Sequence, residues 1–360
     1  MKIHLLCKRR YTAKDLIQDR FGRLYHLPVQ LHRLGMDVSV TALDYRHRAA
    51  ERHTLDGVVF GTLPATLARL PGSLIRLRRA LRANPPDVLL ASGDSHIGYL
   101  GLRLARGLGI PCVFDVYDYY PAFLGNRIPG MKTLFRKAVE GADLVLCAST
   151  PLMERLASLN TAQLLVENGV DRGLFRPSDQ LDARAEFDLD PNIPLIGCFG
   201  SFFKQKGPLV IDACGILAQT NPELRLLLAG PVRDLNVGLP WVTYLDERPQ
   251  SDIPRLIAAC DVCVVPLAHH PQNDLSGSCK IAEYLSCGKP VVATDIAGHR
   301  ESFRAAPQSL CQPDPADMAE AIRRQLAEPQ VAPFPAHLAW EAIARSLEDA
   351  LNDLSAARPA

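Results

Sequence analysis

No apolar run in the 360 residues approaches the roughly 20 that cross a bilayer. The opening stretch, MKIHLLCKRRYTAKD, carries too few apolar residues for a signal peptide, so we expect a cytoplasmic protein. There is no internal repeat, no low-complexity segment and no Walker phosphate loop. Net charge is also nearly absent, at +1 from 40 Lys+Arg against 39 Asp+Glu. That balance conceals a split. Residues 1–177 hold 25 Lys+Arg and 15 Asp+Glu, a net of +10, whereas residues 178–360 hold 15 and 24, a net of −9. A basic domain joined to an acidic one follows, and the length suits two domains.

What is present fits a folded chain: 48% hydrophobic and 22% charged residues argue against disorder. Strand-like and helix-like segments alternate from end to end. Lys2–Cys7, Asp37–Ala42, Asp87–Ala91, Cys112–Val116, Asp143–Cys147 and Leu164–Glu167 read as strands. Tyr25–Leu34, Gly72–Arg82 and Gly98–Leu108 read as helices among them. Asp171–Gln180 reads as a linker, after which the alternation restarts at Leu195–Phe199 and runs to a tail helix, Trp340–Leu354. Two doubly wound α/β domains, each Rossmann-like, are the simplest account. Ligands of such sheets bind outside the carboxyl ends of the strands, so chemistry belongs in loops that follow strands.

Two segments meet that condition. The first is Gly200-Ser201-Phe202-Phe203-Lys204-Gln205-Lys206-Gly207, between a strand and a helix. A glycine at the strand end lets a ligand approach the backbone, and the lysines can neutralise a phosphate. It contains no GxGxxG, and an ordinary turn with a solvated lysine reads equally well. The second is Ser276-Gly277-Ser278-Cys279-Lys280-Ile281-Ala282-Glu283. Hydroxyls and N–H groups at a helix start suit an anion, and Glu283 can accept paired hydrogen bonds from sugar or ribose hydroxyls. Lys280 and Glu283, three apart, share a helix face; a plain surface ion pair is the competing reading.

Taken with other segments, these resemble the retaining glycosyltransferases of family four, which have the GT-B fold. Gly200 to Lys206-Gly207 is similar to the family's Gly-Arg-x5-Lys-Gly pattern. Leu226–Gly230 resembles its strand-then-glycine element, and Ala259 to Pro266 its AD-x4-P strand. Glu283-Tyr284-Leu285-Ser286-Cys287-Gly288-Lys289-Pro290-Val291-Val292 resembles its EAMA-x-G-x-PVV segment. Glu301, after Ala297-Gly298-His299-Arg300, resembles the Glu that follows the family's Gly-rich loop, and Glu167-Asn168-Gly169-Val170-Asp171 through Phe175-Arg176-Pro177 resembles its exit into the linker. The resemblance implies two Rossmann-like domains facing across a cleft, an acceptor domain at 1–175 and a donor domain at 178–336, with the tail 337–360 crossing back to the first.

It also implies transfer of a sugar from a nucleotide-sugar with retention. By position, Lys206 binds the donor diphosphate and Glu283 the ribose. Gly200, Ser201, Asp274, Ser276, Gly277, Ser278 and Lys280 line the rest of the donor site. A loop around Gly22-Arg23 lies under the donor, while Asp94, His96 and Asp118 are the catalytic candidates on the acceptor side. The chain departs from the pattern twice. The first carboxylate of the family's Glu-x7-Glu falls at Leu275, beside Asp274 and Asn273. The diphosphate-binding Arg falls at Ser201, which leaves Lys204 or Lys280 to supply a cation.

The one Asp-x-Asp, Asp188-Leu189-Asp190, precedes the strand Leu195–Phe199 and does not follow a strand, so the expected site is metal-independent, with no cofactor beyond the nucleotide-sugar substrate. The expected acceptor is lipid-linked or saccharide, in surface polysaccharide, lipopolysaccharide or glycolipid assembly. Other readings are a GT-B nucleotide-sugar epimerase and a non-catalytic nucleotide-sugar-binding partner of another transferase. Cys260-x-x-Cys263 lacks a second pair and reads as core, and His269-His270 as a polar loop. Tyr117, Tyr119 and Tyr120 read as packing. The arginine-rich Gly72–Arg82 suits either a sheet cover or an anionic membrane surface, which would make the protein peripheral at the inner face of the cell membrane. No nucleic-acid recognition motif accompanies the basic charge.

Overall fold

The alternation folds as read. The computed structural model describes residues 1–11, 14–47, 49–202 and 207–356, and it divides into two units, Met1–Gly169 with the chain from Trp340, and Val170–Ala339. Each is a mixed α/β body around a largely parallel sheet.

In the first unit the sheet runs Gln163–Leu165, Leu144–Cys147, Cys112–Val116, Val88–Ser92, Lys2–Lys8, Asp37–Asp44, Val58–Pro64, Glu51–Leu55. All neighbours are parallel except the last pair. The strand order therefore reverses between Lys2–Lys8 and Val88–Ser92. The antiparallel pair closes through Asp56-Gly57, whose φ angles of +46° and +83° match a two-residue hairpin turn. That Asp-Gly signal stood in the sequence, yet neither strand was expected from periodicity. The helix expected at Gly72–Arg82 spans Leu70–Ala83, and Met131–Gly141 and Thr150–Leu156 add two helices that periodicity missed.

In the second unit the order is Val242–Tyr244, Arg225–Ala229, Leu195–Phe199, Val262–Val265, Val291–Thr294, Leu310–Cys311, all parallel. This is the 3-2-1-4-5-6 order of a doubly wound domain, whose switch point lies between Leu195–Phe199 and Val262–Val265. No disulfide joins any of the ten cysteines. Cys260 and Cys263 are core residues, and burial pushes the Cys263 thiol well up.

The unit boundaries correct the expected ones. Phe175 is buried in the second core and its carbonyl accepts the Ser286 hydroxyl at 2.6 Å, so residues 170–175 belong there. Leu338 is buried in the same core and its carbonyl accepts the Val170 N–H at 2.9 Å, so the crossing back starts at Trp340, not 337. The tail helix Trp340–Ala356 packs on the helix Arg23–Arg33. His26 stacks on Trp340 with ring centroids 5.5 Å apart, and Gln30 donates to Glu341 at 3.3 Å. Counted by unit, the first holds 25 Lys+Arg and 18 Asp+Glu (+7) and the second 15 and 21 (−6). The acidic tail softens the split without removing it.

The first sheet also holds a buried His4, 8% exposed, with Nδ1 2.9 Å from Ser39 Oγ. Burial lowers its pKa from 6.5 to about 4. The folded state thus binds fewer protons than the unfolded one between those values. Stability is full above pH 6.5 and falls as the pH drops toward 4, by about 3 kcal/mol for the whole step. Urea titrations at pH 7.5 and 5 check this: His4→Gln should remove a large part of the pH dependence, and an unchanged dependence would refute it.

Candidate active site

The donor candidates gather at the switch point of the second sheet. Leu195–Phe199 ends at Gly200, with φ +130°, and Arg225–Ala229 ends at Gly230, with φ +133°; both lie where L side chains are strained. The two turns run against each other. Gly200 N donates to Ala229 O at 3.0 Å, Phe202 N to Pro231 O at 2.9 Å and Arg233 N to Phe202 O at 3.0 Å. A Cβ on Gly230 would lie 1.9 Å from Gly200 O, so only glycine permits this approach. The strand-then-glycine element thus shapes the backbone of the first loop.

The helix Cys279–Ser286 comes to the same place. Tyr284, fully buried, accepts the Phe199 N–H on its hydroxyl at 3.0 Å and packs edge-on to the Phe199 ring. One turn earlier, Lys280 and Glu283 form an ion pair of 2.7 Å. Glu283 is 4% exposed. The Lys280 stem reaches the first loop, since a Cβ on Gly200 would lie 3.5 Å from its Cε. Burial works against the Lys280 charge, but the Glu283 carboxylate outweighs it and its pKa is raised. The pair is therefore a half-buried feature of the loop junction and not the solvated surface pair of the competing reading. Ser278 caps this helix with its side chain uncommitted to the cap. Ser276 and Gly277 precede it on a loop seated on the helix Ala297–Arg300; a Cβ on Gly298 would lie 2.1 Å from Ser276 O. Asp274 holds His269 at 3.1 Å, and His270 caps the short helix Pro271–Asp274, which bears out the polar-loop reading of the histidines. Glu301 is exposed and pairs with Arg304 at 2.8 Å. Ser201 follows Gly200 in the same turn, half-buried. Lys206 and Lys204, expected to meet phosphate, lie outside the described residues.

The first unit places Asp94 and His96 after Val88–Ser92, at its own switch point, and Asp118 after the neighbouring strand Cys112–Val116. Asp94 starts the helix Ser95–Leu108 and pairs with Lys8, the last residue of the first strand, at 2.8 Å. His96 Nε2 lies 2.7 Å from the Tyr45 hydroxyl. Its pKa is lowered by burial, helped by Lys8 and opposed by Asp94. Asp118 is half-buried two residues past Cys112–Val116. Between these groups Tyr117 and Tyr120 are buried, with rings 5.6 Å apart and edge-on, as the packing reading expects. Burial first, then neighbouring groups including Asp94 and Asp118, keeps both hydroxyls protonated. Lys8 and Tyr45 were missed by sequence reading; only the position of Lys8 at a strand end could have flagged it.

Gly22 behaves differently from the expectation for its loop. It caps the helix Arg23–Arg33 with φ +69°, and a Cβ there would strike the Tyr11 ring at 2.5 Å. Arg23 is not in a donor-facing loop. It is fully buried and clamps Asp115 through two bonds of 3.0 and 2.6 Å, with further bonds to Val166 O at 2.9 Å and Asn168 Oδ1 at 3.1 Å. Among the described residues no group of three or more His, Cys, Asp or Glu side chains is disposed to hold a metal ion.

Comparison with known proteins covers both units. Residues 23–174 match the family described as Glycosyltransferase Family 4, and residues 193–328 match Glycosyl transferases group 1. A GDP-mannose-dependent alpha-mannosyltransferase of Mycobacterium tuberculosis is 28% identical over 290 residues, 75% of this chain and 74% of that protein. A D-inositol 3-phosphate glycosyltransferase of Catenulispora acidiphila is 26% identical over 316 residues, 76% of this chain and 74% of that protein. Among solved structures, sucrose-phosphate synthase from Thermosynechococcus elongatus superposes with TM-score 0.76 at 20% identity, over 99% of this chain and 100% of that one. Anabaena HepE in complex with UDP and glucose superposes with TM-score 0.73 at 18% identity, over 98% and 99%.

Proposed function

Since this chain belongs to the retaining glycosyltransferases of family four, with the GT-B fold, we propose that its second unit binds a GDP-sugar, with mannose as the sugar, through the junction of Gly200 with Lys280 and Glu283. The observation that carries this is the half-buried Lys280–Glu283 pair set against a glycine-lined strand end at the switch point. Glu283 presents a carboxylate for paired ribose hydroxyls. Lys280, with Lys206 by its position in the sequence, offsets the charge that develops on the leaving diphosphate, the term that contributes most in such sites. These lysines take the place of a metal ion. The GDP-mannose-dependent relative supports the choice of nucleotide and sugar. Asp94, His96 and Asp118 serve the acceptor from the first unit. A thermal-shift series with GDP-, UDP- and ADP-sugars tests the donor, because a ligand that binds only the folded form raises the Tm. GDP-mannose should give the largest rise; a larger rise with a UDP- or ADP-sugar would overturn the nucleotide.

The acceptor in this reading is lipid-linked and met at an anionic membrane surface. Leu67 is 95% and Ile75 53% exposed, among exposed Arg69, Arg76, Arg78, Arg79 and Arg82 on and before the helix Leu70–Ala83. Among the described residues no helix is long and apolar enough to cross a membrane, so attachment would be peripheral. Each cation near an anionic leaflet is worth on the order of 1 kcal/mol. The triple variant Arg78→Gln, Arg79→Gln, Arg82→Gln should therefore weaken binding to phosphatidylserine vesicles at least about tenfold, and salt should do the same. Vesicle binding that survives both the variant and high salt would count against the surface.

A further inference from the structure

A cavity of about 480 Å³ lies in the first unit between the helix Leu70–Ala83 and one face of the sheet. Its volume is that of a small-molecule site. It is distinct from the strand-end loops, since its floor is the middle of three strands. In register across them lie His4, Ser39 and Val59, then Thr41 and Gly61, with Arg52 opposite Gly61 on the edge strand. Ser39, Thr41 and Gly61 are small where a packed sheet–helix interface usually carries bulky residues, and the helix contributes Leu77, Ala80 and Leu81 above them. The space exists because both faces are small or set apart there.

Two features make this more than a packing gap. His4 lines the cavity at 92% burial, and its Nε2 has no hydrogen-bond partner. A buried polar atom without a partner costs free energy that a bound group can recover. Arg52 and Arg76, both exposed, also line the cavity, and among the described residues neither guanidinium makes a hydrogen bond or ion pair. The one carboxylate present, Glu51, is already held by Arg9 at 2.9 Å and His53 at 3.1 Å. Two uncommitted guanidinium groups therefore stand at a mainly apolar cavity, which calls for a dianion on an apolar body.

We infer that this cavity binds an alkyl phosphate, its phosphate between Arg52 and Arg76, its chain against Leu77 and Leu81, and an ester or hydroxyl oxygen at His4. Such a group is found on lipid phosphates and on soluble phosphate monoesters. The inference is independent of the donor site, so nucleotide binding serves as the fold control.

Hexyl phosphate is the probe, measured by titration calorimetry on the full chain, with inorganic phosphate and hexan-1-ol as its two halves. Hexyl phosphate should bind at least tenfold more tightly than either half. The Arg52→Ala, Arg76→Ala variant should weaken it tenfold or more. Gly61→Leu should abolish binding by filling the cavity. Gly61 tolerates a side chain, since a Cβ there has only Val40 O within 4 Å, at 3.6 Å. Competition by phosphatidic acid vesicles would support the site and assign it to a lipid; no competition would support it for a soluble ester. The site is overturned if hexyl phosphate fails to bind, if inorganic phosphate binds as tightly, or if Gly61→Leu binds it unchanged while still binding nucleotide.

Discussion

Glu283→Ala is expected to lower kcat/KM for the sugar donor by about 10²–10³, the loss seen when one group that stabilises a transition state is removed. The carboxylate is 4% exposed and sits 2.7 Å from the Lys280 ammonium. Its removal acts twice. The donor loses an acceptor for paired hydroxyls, and Lys280 loses the neighbour that keeps it charged. Without Glu283, burial, the largest influence on Lys280, is opposed only by Cys279 and Cys198, and the pKa of Lys280 falls. The sign follows: the variant should lose activity as pH rises, at a lower pH than the parent, because the deprotonated amine no longer offsets the leaving diphosphate. Glu283→Gln separates the two effects. It retains the shape and one acceptor oxygen but not the charge, so the alkaline limb should still move while KM for the donor changes less than in the alanine variant. Steady-state kinetics from pH 6 to 10 reads both. Donor turnover within about threefold of the parent in Glu283→Ala, with an unmoved alkaline limb, would remove Glu283 and Lys280 from the site.

Arg23→Met should destabilise the protein by about 3–5 kcal/mol, the cost of leaving a buried charge without its partner. Arg23 and Asp115 are each 0% exposed, and the guanidinium also satisfies Val166 O and Asn168 Oδ1. Among the described residues, the abandoned Asp115 carboxylate keeps only the hydroxyl of Ser92 as a side-chain partner. For a unit of this size, that loss corresponds to a fall in Tm of about 10 °C. The double variant Arg23→Met, Asp115→Leu should recover much of it, because two apolar residues do not strand a charge. Calorimetric melting of the three proteins decides the matter. If Arg23→Met melts like the parent yet has lost turnover, Arg23 acts on substrate and not as a clamp.

Much of the candidate site in the second unit could be read in the sequence because its parts are local. Gly200 closes a strand, Ser278 opens a helix, and Lys280 and Glu283 lie one turn apart, so ordinary strand and helix periodicity places each at a carboxyl-end loop. The candidate residues of the first unit were less legible. Lys8 and Asp94 are 86 residues apart, and Arg23 and Asp115 are 92 apart. No local pattern links such pairs; only the strand order brings them together. The hairpin at Asp56-Gly57 was legible and overlooked, since its edge strand alternates without a strong apolar run.

The residue order alone sufficed for two doubly wound α/β bodies and for the series of short motifs shared with family four, since both rest on spacing along the chain. Tertiary structure alone settled which charges are functional candidates and which are struts. Arg23 was expected in a loop beside Gly22 and is a buried clamp; for Lys280 the sequence left a donor-site residue and a surface pair as competing readings, and it lies half-buried against a strand-end glycine. Burial is the physical reason. A charge in water costs little wherever it sits, but one removed from water must be paired, and pairing depends on what the fold brings within 3 Å.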